Sequence, residues 1–140
     1  MWGRCVVSLT SLNDDTGRLI LRLSVGGMML FHGVAKIMHP GSLEFIAGML
    51  AGYGLPSILA YAVFIGEVLA PLMVIVGYKA RIGGLLMAVN MLFALVLAHT
   101  GDFFSLSEHG GWMVELQMFY LLTSVAVVFL GSGRHAINPD

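Results

Sequence analysis

Four apolar stretches, each close to the length of a membrane-spanning helix, constrain this chain more than any other feature. They occupy residues 19–38, 58–78, 82–98 and 112–130. A helix needs about 20 apolar residues to cross a hydrocarbon layer about 30 Å thick. The stretches lack the alternation of polar and apolar residues that a membrane β-barrel requires. The sequence therefore predicts an all-α integral membrane protein, a four-helix bundle.

The composition excludes an ordinary soluble domain. Of the 140 residues, 58% are hydrophobic and 11% are charged, whereas a soluble domain is about a quarter charged. A core of this size cannot hide so much apolar surface from water. The net charge of -1 gives no basic excess for nucleic acid. The single cysteine, Cys5, excludes an internal disulfide and a cysteine-ligated cluster.

The remaining segments are short. Residues 43–53 are apolar but cannot span a bilayer, so we expect a short interfacial or re-entrant helix between helices one and two, with an ordered loop as the alternative. Residues 1–17 form a polar N-terminal tail in this interpretation, because they lack the long apolar run of a signal peptide. The membrane domain then covers residues 18–134, and residues 135–140 form a C-terminal tail.

The basic residues predict the orientation. With four spans, both termini share one side with the loop between helices two and three, and that side holds Arg4, Arg18, Lys79, Arg81 and Arg134. The opposite side has Lys36 at a helix end. Loops rich in lysine and arginine stay in the cytoplasm. We therefore expect a multi-pass protein of the bacterial inner membrane with both termini in the cytoplasm.

Glu67 is the most informative polar residue, because it lies near the middle of the second stretch. An ionisable group at that depth costs at least about 2.5–3.5 kcal/mol. Pro71, four residues later, has no N–H, so the Glu67 carbonyl loses its helical partner. Carboxyl and carbonyl together predict a polar notch for a proton, a cation or a head group; the alternative is a carboxyl that only holds helices together. We expect Glu67 to be neutral unless His32, Lys36 or Arg22 reaches it.

The first helix carries Arg22, His32 and Lys36 on one face, which predicts a cationic stripe toward the bundle interior. The alternative for Arg22 and Lys36 is that they snorkel to the two membrane surfaces. His32 lies at a depth where it can approach Glu67 or Asn90, or bond a backbone carbonyl instead. Asn90 lies level with Glu67, so a hydrogen bond between them is reasonable. Glu67 and His32 are thus the candidate catalytic residues, and Arg22, Lys36 and Asn90 the candidate cofactor-binding residues.

A second polar group lies near the outer ends of helices three and four and consists of His99, Asp102, His109 and Glu115. A hydrated polar loop explains it, and the entrance of a proton relay is the alternative. The spacing matches no established metal-ligand pattern, so we predict no metal site. His32 and His99 could hold a haem between them, but nothing in their spacing favours this cofactor.

Several short motifs resemble, in their order and spacing, the DoxX family of small four-helix membrane proteins. They are Arg22, Phe31-His32-Gly33-Val34-Ala35-Lys36, Gly54-Leu55-Pro56, Glu67, Gly77-Tyr78-Lys79-Ala80-Arg81, Gly101-Asp102-Phe103-Phe104, Gly110-Gly111, Glu115 and Gly131-Ser132-Gly133-Arg134. The resemblance runs from about residue 18 to the end. It implies family-typical positions for Arg22, Gly33, Lys36, Glu67 and Arg81. The C-terminus departs from the Gly-Pro-Gly-like turn and Ser-Leu-Asp-like tail of the family.

The resemblance also implies a function. The family takes its name from a subunit associated with quinol oxidation and thiosulfate:quinone oxidoreduction, and some members are linked to oxidoreductase complexes that respond to thiol stress. It implies a subunit or accessory of a quinone-linked or thiol-stress-linked membrane oxidoreductase, with a quinone as the carrier. The alternative is a non-enzymatic scaffold or assembly subunit, or a small transporter. The expected partners are the lipid bilayer and other membrane or redox proteins or a second copy, with no nucleic acid.

Overall fold

The computed structural model describes residues 2–140, with side chains from Asp14 onward. Within that part the regular structure is helical, and two isolated β-bridges but no strands occur. The α-helices are α1 (Trp2–Met38), α2 (Gly41–Gly52), α3 (Ala70–Val76), α4 (Ala80–Ala98) and α5 (Glu115–Leu130). A 3-10 turn (Ser57–Ala62) and a π turn (Ile65–Leu69) lead directly into α3, and we call the whole segment Ser57–Val76 the composite helix. The all-α prediction is confirmed.

Three of the described helices are long and apolar enough to cross a membrane, namely Asp14–Met38 within α1, the composite helix and α4. The fourth apolar stretch is also helical, but α5 has 16 residues, or about 24 Å of length. It begins at Glu115 rather than at Trp112, because Trp112 pairs with Leu106 in a β-bridge and its indole N–H donates to the Phe103 carbonyl at 2.7 Å. The loop thus takes the first residues of the predicted fourth span.

The first helix begins earlier than the sequence predicts, whereas the short helix that follows it agrees with the prediction. α1 begins at Trp2 and so includes the residues predicted to form the N-terminal tail. The start of the apolar stretch at residue 19 indicates where a membrane span can begin, but a helix can extend beyond the apolar residues. The side chains of residues 1–13 lie outside the described part. Residues 43–53 are confirmed as helical, because α2 covers Gly41–Gly52, so the alternative of an ordered loop is wrong.

Pro71 interrupts the composite helix. Proline has no N–H and its ring displaces the preceding carbonyls, so the hydrogen-bond ladder widens before it, and the Ala70 N–H donates to the carbonyl of Ile65, five residues back. Glu67 lies in the middle of this π turn. Single π turns within helices are rare and occur frequently at functional sites.

The core lies between α1, α3, α4 and α5. Its buried apolar side chains are Val25, Met29, Ala70, Val74, Ala80, Met87, Met91, Tyr120 and Val127. The outer surface is strongly apolar as well, and Phe31, Phe119 and Phe129 are each more than two-thirds exposed. A surface of this kind is unsuited to water and fits a lipid environment.

Arg22 stabilises one end of the bundle. Its side chain is 1% exposed, and its guanidinium donates to the carbonyls of Val74 at 2.8 Å, Ile75 at 2.9 Å, Ser132 at 2.5 Å and His135 at 2.8 Å. The first two carbonyls belong to the last turn of α3, where the helix offers few backbone donors; besides Arg22, the Val74 carbonyl accepts only a long bond of 3.3 Å from the Gly77 N–H within the described residues. The inward orientation of Arg22 is therefore confirmed, and the snorkelling alternative is wrong for this residue.

The predicted C-terminal tail docks on the same end of the bundle. Asp140 accepts hydrogen bonds from the backbone N–H groups of Arg81 and Ser132, both at 3.0 Å. Burial alone would raise the pKa of the Asp140 carboxyl, but these hydrogen bonds and the charge of Arg81 lower it overall. The Arg81 guanidinium also donates to the carbonyls of Val128 and Phe129 at the end of α5. The last residues thus tie α1, α3, α4 and α5 together.

Candidate functional site

Lys36, Glu67 and Asn90 meet inside the bundle, and we call these three residues the Glu67 cluster. Glu67 is 4% exposed. Lys36 Nζ lies 2.5 Å from Glu67 Oε2, and Asn90 Nδ2 donates to Glu67 Oε1 at 3.2 Å. The predicted bond between Glu67 and Asn90 is confirmed. Snorkelling is wrong for Lys36, because its ammonium turns inward to the carboxylate instead of outward to the membrane surface.

The Glu67 cluster sets a buried carboxylate against a partly buried ammonium, since the Lys36 side chain is 23% exposed and the Glu67 side chain is 5% exposed. We expected a neutral Glu67 unless a cation reached it, and Lys36 does reach it. Each charge is neutralised only while its partner is present. Removing one partner leaves the other charge buried and unpaired, at a cost of about 3–5 kcal/mol. A proton can also pass within the pair along its hydrogen bond, which converts two charged groups into two neutral ones. The cluster is therefore equipped both to hold helices and to exchange a proton.

A cavity of about 600 Å³ opens beside the cluster, between α2, the 3-10 turn and α4. Ligand pockets in proteins commonly have volumes of about 300–1,000 Å³. The apolar side chains that line it include Phe45, Ile46, Met49, Leu59, Val63, Phe93 and Leu97. Its polar side chains are those of the Glu67 cluster together with Ser42 and His99. The site thus combines a largely apolar wall with one compact group of hydrogen-bonding residues.

A second cavity of about 160 Å³ lies between α1, α4 and α5. Lys36, Glu67 and His99 line both cavities, so the ion pair separates one from the other. His32 lines the smaller cavity, and its ring meets Tyr120 edge to face with 5.5 Å between ring centroids. Among the described hydrogen bonds none joins His32 to Glu67 or Asn90; it approaches the carboxylate only as a neighbour across this cavity.

Only part of the outer polar group comes together. His99 Nδ1 lies 3.1 Å from Asp102 Oδ2, and His99 Nε2 lies 3.1 Å from Nε2 of Gln117. His109 is exposed elsewhere on the loop. Within residues 14–140 no three His, Cys, Asp or Glu side chains are arranged to hold a metal ion. The sequence analysis did not name Gln117 as a candidate. Gln117 is an amide side chain in an apolar stretch, and the same feature identified Asn90.

Two glycines allow the helices to approach the π turn. A Cβ atom on Gly33 of α1 would overlap the Glu67 carbonyl, and one on Gly66 would overlap the side chain of Asn90. Small residues at helix contacts permit close backbone approach in membrane bundles. Gly33 and Gly66 therefore set the spacing at which Lys36 and Asn90 reach the carboxylate.

Comparison with known proteins identifies the family of this chain. The profile of the DoxX family matches residues 17–100. The chain belongs to the DoxX family. It is also 28% identical over 126 residues to a protein of Bacillus subtilis (strain 168) named "Putative oxidoreductase CatD", an alignment that covers 89% of this chain and 87% of the relative. No solved structure matches the chain significantly. Family membership and the three long apolar helices indicate a membrane protein.

The packing at Gly33 leads to a prediction about stability. We expect Gly33→Ala to lower the melting temperature in detergent micelles, because overpacking a tight helix contact costs about 1–3 kcal/mol. Gly27→Ala is the matched control on the same helix, since a Cβ there meets no atom within 4 Å. That variant is expected to be neutral or stabilised, as alanine is the better helix former by about 1 kcal/mol. Equal melting temperatures for the two variants would contradict the close contact at the π turn.

Proposed function

We propose that this chain is a multi-pass protein of the bacterial inner membrane that binds a quinone-like carrier and exchanges protons with its head group. In this role it is a subunit or accessory of a membrane oxidoreductase system. The observation that carries the proposal is the placement of the Glu67 cluster in an otherwise apolar cavity of about 600 Å³. The name of the B. subtilis relative, which refers to an oxidoreductase, supports the redox part of the proposal.

The cavity fits a ligand with a polar head and an apolar tail. Lys36 offers an ammonium donor and Asn90 an amide, while Glu67 offers a carboxylate acceptor, so a head group with carbonyl or hydroxyl oxygens finds complementary partners. Phe45 is 66% exposed and Phe93 is 57% exposed, so the apolar wall extends to the outer face of the bundle. A lipid-soluble molecule can therefore enter sideways from the membrane.

The residues of the site act as acid–base groups. A bound quinone would supply the two-electron, two-proton chemistry, and its electrons would come from a partner redox protein. A general acid or base must lie within hydrogen-bond reach of the oxygen that gains or loses the proton. Glu67 and Lys36 line the cavity wall, where a bound head group would come within that reach, and Asn90 donates a hydrogen bond to the carboxylate at Oε1.

A structural role is the alternative, and one observation favours it. Both carboxylate oxygens of Glu67 already have partners, Lys36 on α1 and Asn90 on α4. The Glu67 cluster therefore joins three helices, as expected of a scaffold or assembly subunit with no ligand. The carrier-binding role and the structural role predict different effects of Glu67→Gln on quinone binding.

The membrane topology gives the first test. We propose four crossings, by α1, the composite helix, α4 and α5, with both termini in the cytoplasm. Reporter fusions after residues 79 and 138 should therefore give a cytoplasmic signal, and a fusion near Glu108 an external one. An external signal after residue 138 would require an odd number of crossings and would contradict the four-span arrangement.

The second test replaces the carboxylate. We expect Glu67→Gln to weaken the binding of decylubiquinone to the purified protein by about tenfold or more, because a hydrogen bond to a charged group contributes about 1.5–3 kcal/mol. The double variant Lys36→Met with Glu67→Gln should bind at least as weakly, because it also lacks the Lys36 donor, and it removes the stranded ammonium that could unfold the single variant. Equilibrium dialysis, with the bound quinone extracted and quantified by its ultraviolet absorbance, measures the affinity.

The matched control is Glu44→Gln, which changes an exposed carboxylate in the first turn of α2. It should leave the affinity unchanged. A parent protein that binds no decylubiquinone, or a Glu67→Gln protein that binds it as tightly as the parent does, would overturn the proposed site and favour the structural role.

A further inference from the structure

His99 connects the outer loop with the interior of the bundle. It follows the last residue of α4 and lines both cavities together with Lys36 and Glu67. Its two ring nitrogens have different partners, since Nδ1 faces Asp102 Oδ2 at 3.1 Å and Nε2 faces Gln117 Nε2 at 3.1 Å. One nitrogen thus points toward the loop and the other toward the smaller cavity.

The partners of His99 define which nitrogen carries the proton. An amide NH₂ group can only donate, so Nε2 of a neutral His99 accepts from Gln117, and Nδ1 bears the hydrogen and donates to Asp102. Gln117 Oε1 is buried and has no hydrogen-bond partner among residues 14–140. If His99 gains a second proton at Nε2, a half-turn of the Gln117 amide brings Oε1 into position to accept it. Gln117 can therefore serve both protonation states of the imidazole.

The smaller cavity can conduct a proton between His99 and the Glu67 cluster. Its volume of about 160 Å³ has room for several water molecules, each of which needs two to four polar partners. The polar groups that face the cavity are those of His32, Lys36, Glu67, His99, Gln117 and Tyr120. On the opposite side of His99, the Asp102 side chain is 39% exposed, so this end of the path is open to water.

We propose that His99 carries protons between the Asp102 side of the outer loop and the Lys36–Glu67 pair. The inference rests on the proposed function, because it assigns the route by which the same cluster gains and loses its proton. In the outward direction, a proton leaving the pair binds His99 Nε2, and the imidazolium then releases its Nδ1 proton to Asp102 or to water. One N–H bond forms at Nε2 and one breaks at Nδ1, so a single proton is transferred and His99 is left as the Nε2–H tautomer. From that tautomer the reverse sequence brings a proton in through Nδ1 and restores the Nδ1–H tautomer.

The test follows the protonation of Glu67 directly. Rapid-mixing infrared spectroscopy on the protein in lipid bilayers, after a pH jump across the range in which the Glu67 carboxyl band changes, gives the rate. The band is identified by its loss in Glu67→Gln. We expect His99→Gln to slow protonation by about 10²-fold, the usual contribution of a positioned proton-transfer group. Free imidazole in the buffer should restore much of the rate, an effect that a merely structural role for His99 would not produce.

His109→Gln is the matched control, because it removes an exposed imidazole from the same loop and should leave the rate unchanged. Gln117→Leu provides a second variant if His99→Gln fails to fold. It should also slow protonation, because His99 Nε2 loses its hydrogen-bond partner in the cavity. A parental rate in His99→Gln, or in Gln117→Leu where the first variant does not fold, would overturn the proton route.

The outcomes also separate this inference from the proposed function. If the parent binds no decylubiquinone but the rate depends on His99 and on imidazole, the carrier-binding proposal fails and the proton route stands. If decylubiquinone binds with the expected dependence on Glu67 but the rate ignores His99, the carrier site stands and the proton route fails.

Discussion

The buried ion pair between Lys36 and Glu67 is the interaction on which the rest of this structure depends. A carboxylate inside an apolar bundle is tolerated only when it is paired and hydrogen-bonded. Pro71 creates the π turn that holds Glu67, and the bare backbone of Gly33 lets α1 approach closely enough for Lys36 to reach it. Asn90 then occupies the second carboxylate oxygen. Several departures from regular helix geometry thus converge on one charged group.

The two ends of the bundle have different tasks. At one end, Arg22 donates four hydrogen bonds to backbone carbonyls of α3 and the C-terminal segment, and it lines neither cavity. At the other end, Lys36 lies on the same helix and has a similar inward direction, but it borders both cavities. The two cations on this face of α1 therefore differ in role. Arg22 stabilises the packed end, and Lys36 pairs with Glu67 beside the cavities. The cavity and the packed end therefore lie at different levels of the bundle.

The sequence was sufficient to predict the parts of the molecule that follow from local patterns. Apolar run length predicted the helices, and the mid-span positions of Glu67 and Asn90 predicted their hydrogen bond. Snorkelling and inward pairing are equally compatible with the position of Lys36, so only the packed structure could decide between them. The partners of Arg22 come from residues more than 50 positions away, which no local pattern reveals. Trp112 looked like the start of a span, but its tertiary contacts with the loop shorten α5.

We propose above that the Lys36–Glu67 pair contacts the head group of a lipid-soluble carrier. Solid-state NMR in bilayers tests it most directly, with ¹⁵N-labelled lysine and decylubiquinone labelled with ¹³C at its ring carbonyls. The chain has two lysines, Lys36 and Lys79, so the Lys79→Arg variant leaves one labelled ammonium. We expect a dipolar coupling that corresponds to about 4 Å, the C···N separation across a hydrogen bond to the carbonyl oxygen. Bound decylubiquinone without any coupling to Lys36 would contradict it.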